Sequence, residues 1–341
     1  MTPRVRSNRE EEEGGVRAPG VSPWHPSAIR GEVPMSLTLR HGGQIRTKLR
    51  FEIIGHHDRP LLIVAGGISA GRHVLSSNEF PEAAWWDVQR DAFPLQDYRV
   101  LAIDWLGADG AIDLPIDPAD QAAAIAFLLG DLAIADVAAF IGASYGAMTG
   151  MHFAARHPDR LGALLAISAA SRSHPFSSAC RSLQRQALAL GESAASPEAG
   201  IALARAMAML TYRTPEEFAE RFTQAPTIAS DGRLRVGADQ YLASHGARHC
   251  QRMSATAYRR LSESIDLHRI EPSDIHVPLT IAAVDRDALV PKADIEALAR
   301  AVPGTRLHVI RSLYGHDAFL KEVRQVAAII AQFLSSLEHS Q

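Results

Sequence analysis

The chain has 341 residues, of which 47% are hydrophobic and 21% charged, the balance of an ordinary globular enzyme. A formal net charge of −3 supplies no field for holding nucleic acid or a membrane surface, and no apolar run reaches the ~18–20 residues that span a bilayer. Cys180 and Cys250, the two cysteines, make neither a disulfide framework nor a zinc spacing and read as incidental thiols of a reducing compartment.

Residues 1–34 stand apart. Arg9-Glu10-Glu11-Glu12-Glu13-Gly14-Gly15 is charged and glycine-rich, and Pro19, Pro23, Pro26 and Pro34 follow. The segment lacks the apolar stretch of a secretory signal and cannot build a core, so disorder is expected up to residue 34. Met35, where the pattern turns regular, is an alternative start of translation. Leu37–Arg40 and Ile45–Ile54 read as a strand pair around His41-Gly42-Gly43. Pro60–Ala65, ending in Gly66-Gly67, has the unbroken apolarity of a buried parallel strand. Arg99–Ile103 is the next strand, Pro118–Leu129 a helix, Val137–Ile141 a strand, Tyr145–Arg156 a helix and Leu161–Ile167 a strand. That alternation predicts a mostly parallel sheet with helices on both faces. From 171 to 266 no strand is expected; Ala187–Leu190, Ile201–Leu210 and Pro215–Phe222 read as helices of a cap. Strands return at Leu279–Val284 and Arg306–Ile310, and Ala318–Leu337 closes the chain as a helix. The expected organisation is an α/β core from 35–170 and 267–341, interrupted by a helical cap or lid at 171–266, with no internal repeat.

Chemistry gathers at the carboxyl ends of these strands, where open α/β sheets keep their ligand crevice. Gly142-Ala143-Ser144-Tyr145-Gly146 is G-x-S-x-G between a strand and a helix, the arrangement of a nucleophile elbow. A serine hydroxyl needs a base to take its proton and a carboxylate to orient that base. In the order Ser, acid, His, the base is His316 of Tyr314-Gly315-His316-Asp317, after the last strand. Asp285 and Asp287 both lie just past strand Leu279–Val284, and strand position does not separate them. An oxyanion hole needs two N–H groups; the amide of Tyr145 and one from the turn Gly66-Gly67-Ile68-Ser69, taken as Ile68, are placed for it.

With these residues in hand the chain resembles the homoserine O-acyltransferase family of methionine biosynthesis, within the α/β-hydrolase fold. The resemblance runs from about Gly66 to Leu320. It rests on the elbow, on Ala206-Met207-Ala208-Met209-Leu210-Thr211-Tyr212-Arg213-Thr214, on Tyr241-Leu242 with His245-Gly246-Ala247-Arg248, and on Ser264-Ile265-Asp266-Leu267-His268. Asp285–Pro291 and Gly315-His316-Asp317-Ala318-Phe319-Leu320 complete it, the last run being the most specific. The resemblance implies Ser144 as nucleophile, His316 as base and Asp287, ahead of Ala288-Leu289-Val290-Pro291, as acid. It implies that Arg213 holds the amino acid's carboxylate and Asp317 its ammonium.

The chain departs from the family at the oxyanion turn. Gly66-Gly67-Ile68-Ser69-Ala70 replaces His-Ala-Leu-Thr-Gly, Tyr145 replaces a frequent methionine, and an arginine enters in Gly71-Arg72-His73. A succinyl group ends in a carboxylate that Arg72 is placed to bind, with Arg172 as second candidate; acetyl offers nothing to bind. The expected activity is therefore transfer of succinyl from succinyl-CoA to L-homoserine by a ping-pong route. Acetyl-CoA as donor and serine as acceptor are the alternatives within the family. A serine esterase or thioesterase, and a non-catalytic binding protein, are the rivals outside it. Acyl-CoA is a substrate, so no metal and no resident cofactor is implied. A cytoplasmic homodimer joined through the cap helices is expected from the resemblance.

Overall fold

The computed structural model describes residues 27–338. In chain order its strands are β1 (Ala28–Leu39), β2 (Gly43–Ile54), β3 (Leu61–Ala65), β4 (Arg99–Ile103), β5 (Ala139–Ala143), β6 (Leu164–Ile167), the two-residue β7 (Thr227–Ile228) and β8 (Leu234–Arg235), β9 (Leu279–Val284) and β10 (Arg306–Ile310). Eight of them form one sheet in the order β1-β2-β4-β3-β5-β6-β9-β10. β1, β2 and β4 pair antiparallel, and the pairs from β4 across to β10 are parallel.

The central strands are apolar on both faces because both faces are covered. Leu61, Ile63 and Ala65 of β3 pack into one core with helices α1 (Pro118–Asp131), α2 (Tyr145–Arg156) and α8 (Lys292–Ala301). Leu62 and Val64, on alternate positions, face the other core, where α10 (Val323–Glu338) contributes Val326, Ile329, Ile330, Phe333 and Leu334. Asp117 starts α1 by accepting the N–H groups of Ala119 and Asp120 on its side chain.

Between β6 and β9 the chain builds the cap from α3 (Pro175–Ser193), α4 (Pro197–Tyr212), α5 (Pro215–Arg221), α6 (Asp239–Cys250) and α7 (Ala255–Leu267). A proline opens each of the first three, where its missing N–H would have no helical partner in any case. The neck is pinned where the chain leaves and returns: Arg172 and Arg269 form an isolated antiparallel bridge, and Ile270 N–H donates to Ser171 O at 2.9 Å.

Four expectations are corrected. The boundary at residue 34 fails, because β1 begins at Ala28 and pairs with β2 along its whole length; the disorder expected of residues 1–26 lies outside the described residues. The charged, half-exposed alternation Arg30-Gly31-Glu32-Val33 belongs to a strand at the sheet edge, which masks its period. The cap is not strand-free, since β7 and β8 form a small exposed hairpin. It also holds α6 and α7, which the sequence pattern did not reveal. The final helix is broken at Glu322 into α9 (Ala318–Lys321) and α10.

Starting the chain at Met35 would remove seven β1 residues, among them the buried Ala28 and Val33. It would also take Arg30 from Glu52, a carboxylate only 2% exposed that Arg30 Nε contacts at 2.7 Å. Loss of one partner of a buried pair costs roughly 3–5 kcal/mol. A chain beginning at Met35 should melt several degrees below one beginning at Ser27 in a thermal-denaturation scan. Equal melting temperatures would show that the first half of β1 carries no stability.

Candidate active site

The elbow is a consequence of backbone crowding. Ser144 has φ 54° and ψ −118°, a conformation an L-residue holds only when its surroundings enforce it. The enforcing contacts are at the glycines. A Cβ on Gly146 would sit 2.1 Å from the carbonyl oxygen of Ala65, and one on Gly142 would meet the Gly146 oxygen at 2.5 Å. Gly146 N–H donates to Gly66 O at 2.8 Å and Ser144 N–H to Ile167 O at 2.8 Å, so β3, β6 and α2 together fix the serine.

His316 Nε2 lies 2.7 Å from Ser144 Oγ, and His316 Nδ1 lies 2.7 Å from Asp287 Oδ2. The other Asp287 oxygen accepts the N–H groups of Leu289 and Val290 at 2.8 and 3.0 Å, which locks the carboxylate. Asp285 is turned elsewhere: its Oδ1 accepts from Ser312 N–H at 3.1 Å and braces the loop that carries His316. Geometry therefore separates two acids that strand position left equivalent. Tyr212 stacks on the His316 ring at 5.9 Å between centroids and Phe319 meets its edge at 6.0 Å. Burial disfavours a charged His316 ring. The Asp287 charge and hydrogen bond outweigh it, Asp317 adds to them and Arg181 opposes, so the pKa is raised above the ordinary 6.5.

The turn after β3 reaches the same place. Trp105 Nε1–H donates to Gly67 O at 3.0 Å and Trp85 Nε1–H to Gly71 O at 3.1 Å, bracing Gly67–Gly71 from both sides. The N–H groups of Ile68 and Tyr145 enter none of the turn and loop backbone bonds among the described residues; Tyr145 follows Ser144 in the chain, and Ile68 lines the same cavity as Ser144. The Tyr145 side chain points away, its hydroxyl bonded to Ser264 Oγ at 2.6 Å and its pKa pushed up by burial.

Ser144 and His316 open into a cavity of about 210 Å³ roofed by the cap. Ile68, Trp85, Met148, Ile265 and Phe319 give it apolar walls; Arg181, Gln184, Arg205, Ser262 and Asp317 give it polar ones. One expected contact is corrected here. Arg72 does not line the cavity, because Asp104 draws it off: Asp104 Oδ1 accepts the Arg72 N–H at 2.9 Å and Oδ2 lies 3.4 Å from Nη1. Arg213 adjoins the cavity through Asp317, which it pairs with at 3.0 Å; it lies 3.5 Å from Glu217, and its buried Nε has no hydrogen-bond partner among the described residues. Arg172, the second candidate, is held at the cap neck. Sequence reasoning missed Arg181 and Arg205, which do reach the cavity. Arg205 lies over the Tyr212 ring at 5.1 Å and has no carboxylate partner among the described residues. Its one sequence signal is the seven-residue spacing from Tyr212, two helical turns along α4. His56, His57 and Asp58 form an exposed trio before β3, at the opposite end of the sheet from Ser144.

Residues 59–323 match the family model described as the alpha/beta hydrolase fold. The chain is 50% identical over 313 residues to a homoserine O-succinyltransferase of Xanthomonas campestris pv. campestris, covering 91% of this chain and 85% of that one. It is 28% identical over 360 residues to a serine O-succinyltransferase of Litchfieldella anticariensis, covering 89% and 97%. The crystal structure of a homoserine O-acetyltransferase from Bacillus anthracis superposes with a TM-score of 0.82 at 15% identity, over 90% of this chain and 97% of that one. At that identity the likeness is one of fold.

Two outcomes check the site. Gly146→Ala should lower the melting temperature and abolish labelling of Ser144 by a fluorophosphonate, since a methyl group cannot share space with the Ala65 carbonyl. By NMR the His316 ring should titrate above 6.5 in the wild type. In Asp287→Asn, only Asp317 still opposes burial and the titration should move down; in Asp285→Asn it should stay up. The reverse ranking would transfer the orienting role to Asp285.

Proposed function

The chain belongs to the homoserine O-acyltransferase family of the α/β-hydrolases, and from that membership we propose that it is a homoserine O-succinyltransferase with a ping-pong mechanism. The observation that carries the reading is the content of one cavity: the Ser144–His316–Asp287 relay shares it with an unpaired cation, Arg205, and a carboxylate, Asp317. An esterase needs the relay and has no use for opposite charges beside it; an amino-acid acceptor uses both. The succinyl donor is supported by the Xanthomonas relative.

Ser144 Oγ attacks the thioester carbonyl while His316 Nε2 takes its proton. The oxyanion is received by the amides of Ile68 and Tyr145. His316 returns the proton to the departing CoA sulfur, leaving succinyl on Ser144. Homoserine then enters with its carboxylate on Arg205 and its ammonium on Asp317, and Arg213 positions Asp317 from behind. His316 takes the proton of the homoserine hydroxyl, whose oxygen attacks the acyl group. Collapse of the second tetrahedral intermediate frees the succinyl ester and returns the proton to Ser144. The cap must keep water from the acyl-enzyme, since water at the same carbonyl would hydrolyse it. The reaction needs no metal and no resident cofactor.

The reading places the protein in the cytoplasm, with its acyl-CoA substrate; among the described residues no helix is long and apolar enough to cross a membrane. It also places it in a homodimer. Phe176, Leu183 and Leu190 stand exposed at seven-residue intervals on α3, and Leu203 and Leu210 repeat that interval on α4. Such stripes on the outer cap support pairing of two copies there.

The test is release of free CoA by the purified protein with succinyl-CoA or acetyl-CoA and L-homoserine or L-serine. Succinyl-CoA with homoserine should be fastest, and Ser144→Ala should lose ~10³-fold or more. Preference for acetyl-CoA would sink the succinyl donor, and turnover indifferent to the acceptor would point to a hydrolase.

A further inference from the structure

We propose that Arg181 and Gln184 of α3, with Ser262 of α7, form the subsite for the distal carboxylate of the acyl donor, and so select a four-carbon diacid group over acetyl. The inference rests on the acyl-CoA reading above and deepens it, and it replaces the role that Arg72 cannot fill.

These three side chains present donors to the cavity and no acceptor. Arg181 is 8% exposed, yet it lines the cavity wall. Its Nε lies 2.8 Å and its Nη2 2.7 Å from Asp266 Oδ1, and Nη2 also donates to Ser178 Oγ at 3.3 Å. Nη1 has no partner among the described residues. Gln184 lies one helical turn on, three residues along the same face. Its Oε1 accepts the Tyr258 hydroxyl at 3.1 Å, which leaves the amide NH₂ as its remaining donor, with no partner among the described residues. Ser262 accepts from Arg185 Nη1 at 2.9 Å, so its own proton is free to be donated. All three residues are buried, and all three line the cavity. A carboxylate oxygen pair answers their donors; the methyl of an acetyl group leaves them unmet.

The local charge has the matching sign. Asp266 serves two guanidinium groups at once, Arg181 and Arg185, the second at 2.8 Å, so the group keeps a net positive charge. The cavity's carboxylate, Asp317, stands elsewhere on its wall, tied to Arg213. The acceptor groups Arg205 and Asp317 are grouped around Tyr212 and the histidine loop. Arg181 instead sits one turn after Ser177, whose hydroxyl donates to Leu289 O at 2.7 Å, on the side of the acid loop. Donor and acceptor carboxylates are thus assigned to different cations of one cavity, Arg181 and Arg205. Arg181 is also close enough to the reacting centre for its charge to oppose protonation of His316.

The experiment uses the full chain without any acceptor and follows the CoA burst that accompanies acyl-enzyme formation, with succinyl-CoA and with acetyl-CoA. Gln184→Glu keeps the volume and the oxygen that Tyr258 needs but sets a negative charge against the donor's. Arg181→Gln removes the cation. In both, the succinyl-to-acetyl ratio of burst rates should fall about ten- to hundredfold, the size of a charge-assisted hydrogen bond, and Arg72→Ala should leave the ratio alone. If Arg181→Gln fails to fold, Gln184→Glu alone decides between the outcomes. An unchanged ratio overturns the subsite while the acyltransferase reading stands, and so does damage confined to the homoserine-dependent step, which would hand these donors to the acceptor. A wild-type protein that releases no CoA from either thioester overturns the acyltransferase reading and the subsite with it.

Discussion

The contact on which the site depends is a backbone one, the first turn of α2 pressed against the end of β3. Gly146 lies so close to the Ala65 carbonyl that no side chain fits between them, and the Gly146 N–H is bonded to Gly66 O. Once those two backbones are in contact, little else is free. The chain must turn back on itself at Ser144 with positive φ, Tyr145 N–H is left at the open start of a helix, and the Gly66–Ile68 turn is brought beside it. A strained residue costs about 1–3 kcal/mol. Packing of β3, β5 and β6 between two apolar layers offsets that cost, because a sheet buried on both faces is the most rigid part of such a fold.

That rigidity explains what was legible in the sequence. β4 and β9 fall where their apolar runs predict, and α2 matches its expected range to the residue. A strand covered on both faces has to be continuously apolar, and that pattern has few other readings. The part of β1 ahead of Leu37 escaped notice for the opposite reason. Half of Ala28–Leu39 faces water, and Arg30, Gly31, Glu32 and Pro34 read as a charged, turn-prone tail. The cap was legible as an interruption and poorly legible inside. α6 and α7 carry Arg, His and Ser on exposed faces, and their boundaries have no proline to mark them.

The site divides along the same line. Ser144 and His316 could be brought together from the sequence because each follows a strand's end, and they lie 2.7 Å apart. Asp285 and Asp287 could not be told apart by that argument, because what separates them is which neighbours they accept from: Ser312 N–H for one, His316 and two loop amides for the other. The arginines were misread because a guanidinium lies several rotatable bonds from its backbone. Arg72 adjoins the oxyanion turn in sequence, yet Asp104 draws its head away. Arg181 and Arg205, far off in sequence, arrive on the cavity wall because two cap helices carry them there.

The cap is therefore more than a cover. Each segment that carries a member of the relay is tied to it by one short side-chain hydrogen bond. Tyr145, next to the nucleophile, meets Ser264 of α7 at 2.6 Å. Ser177 of α3 donates to Leu289 O on the acid loop at 2.7 Å, and Thr214, the N-cap of α5, donates to Leu313 O on the histidine loop at 2.5 Å. The neck at Arg172 and Arg269 adds a fourth tie through the backbone. A roof hinged only at its neck could swing clear of the serine and admit water. One fastened beside Ser144, Asp287 and His316 cannot move without disturbing them, so the shelter of the cavity and the alignment of these three stand or fall together. That coupling suits a transferase, for which an exposed acyl group would be lost to hydrolysis. It also gives a physical reason for the proposed specificity groups to sit on α3, α4 and α7: α3 and α7 are tied directly to the segments that carry Asp287 and Ser144.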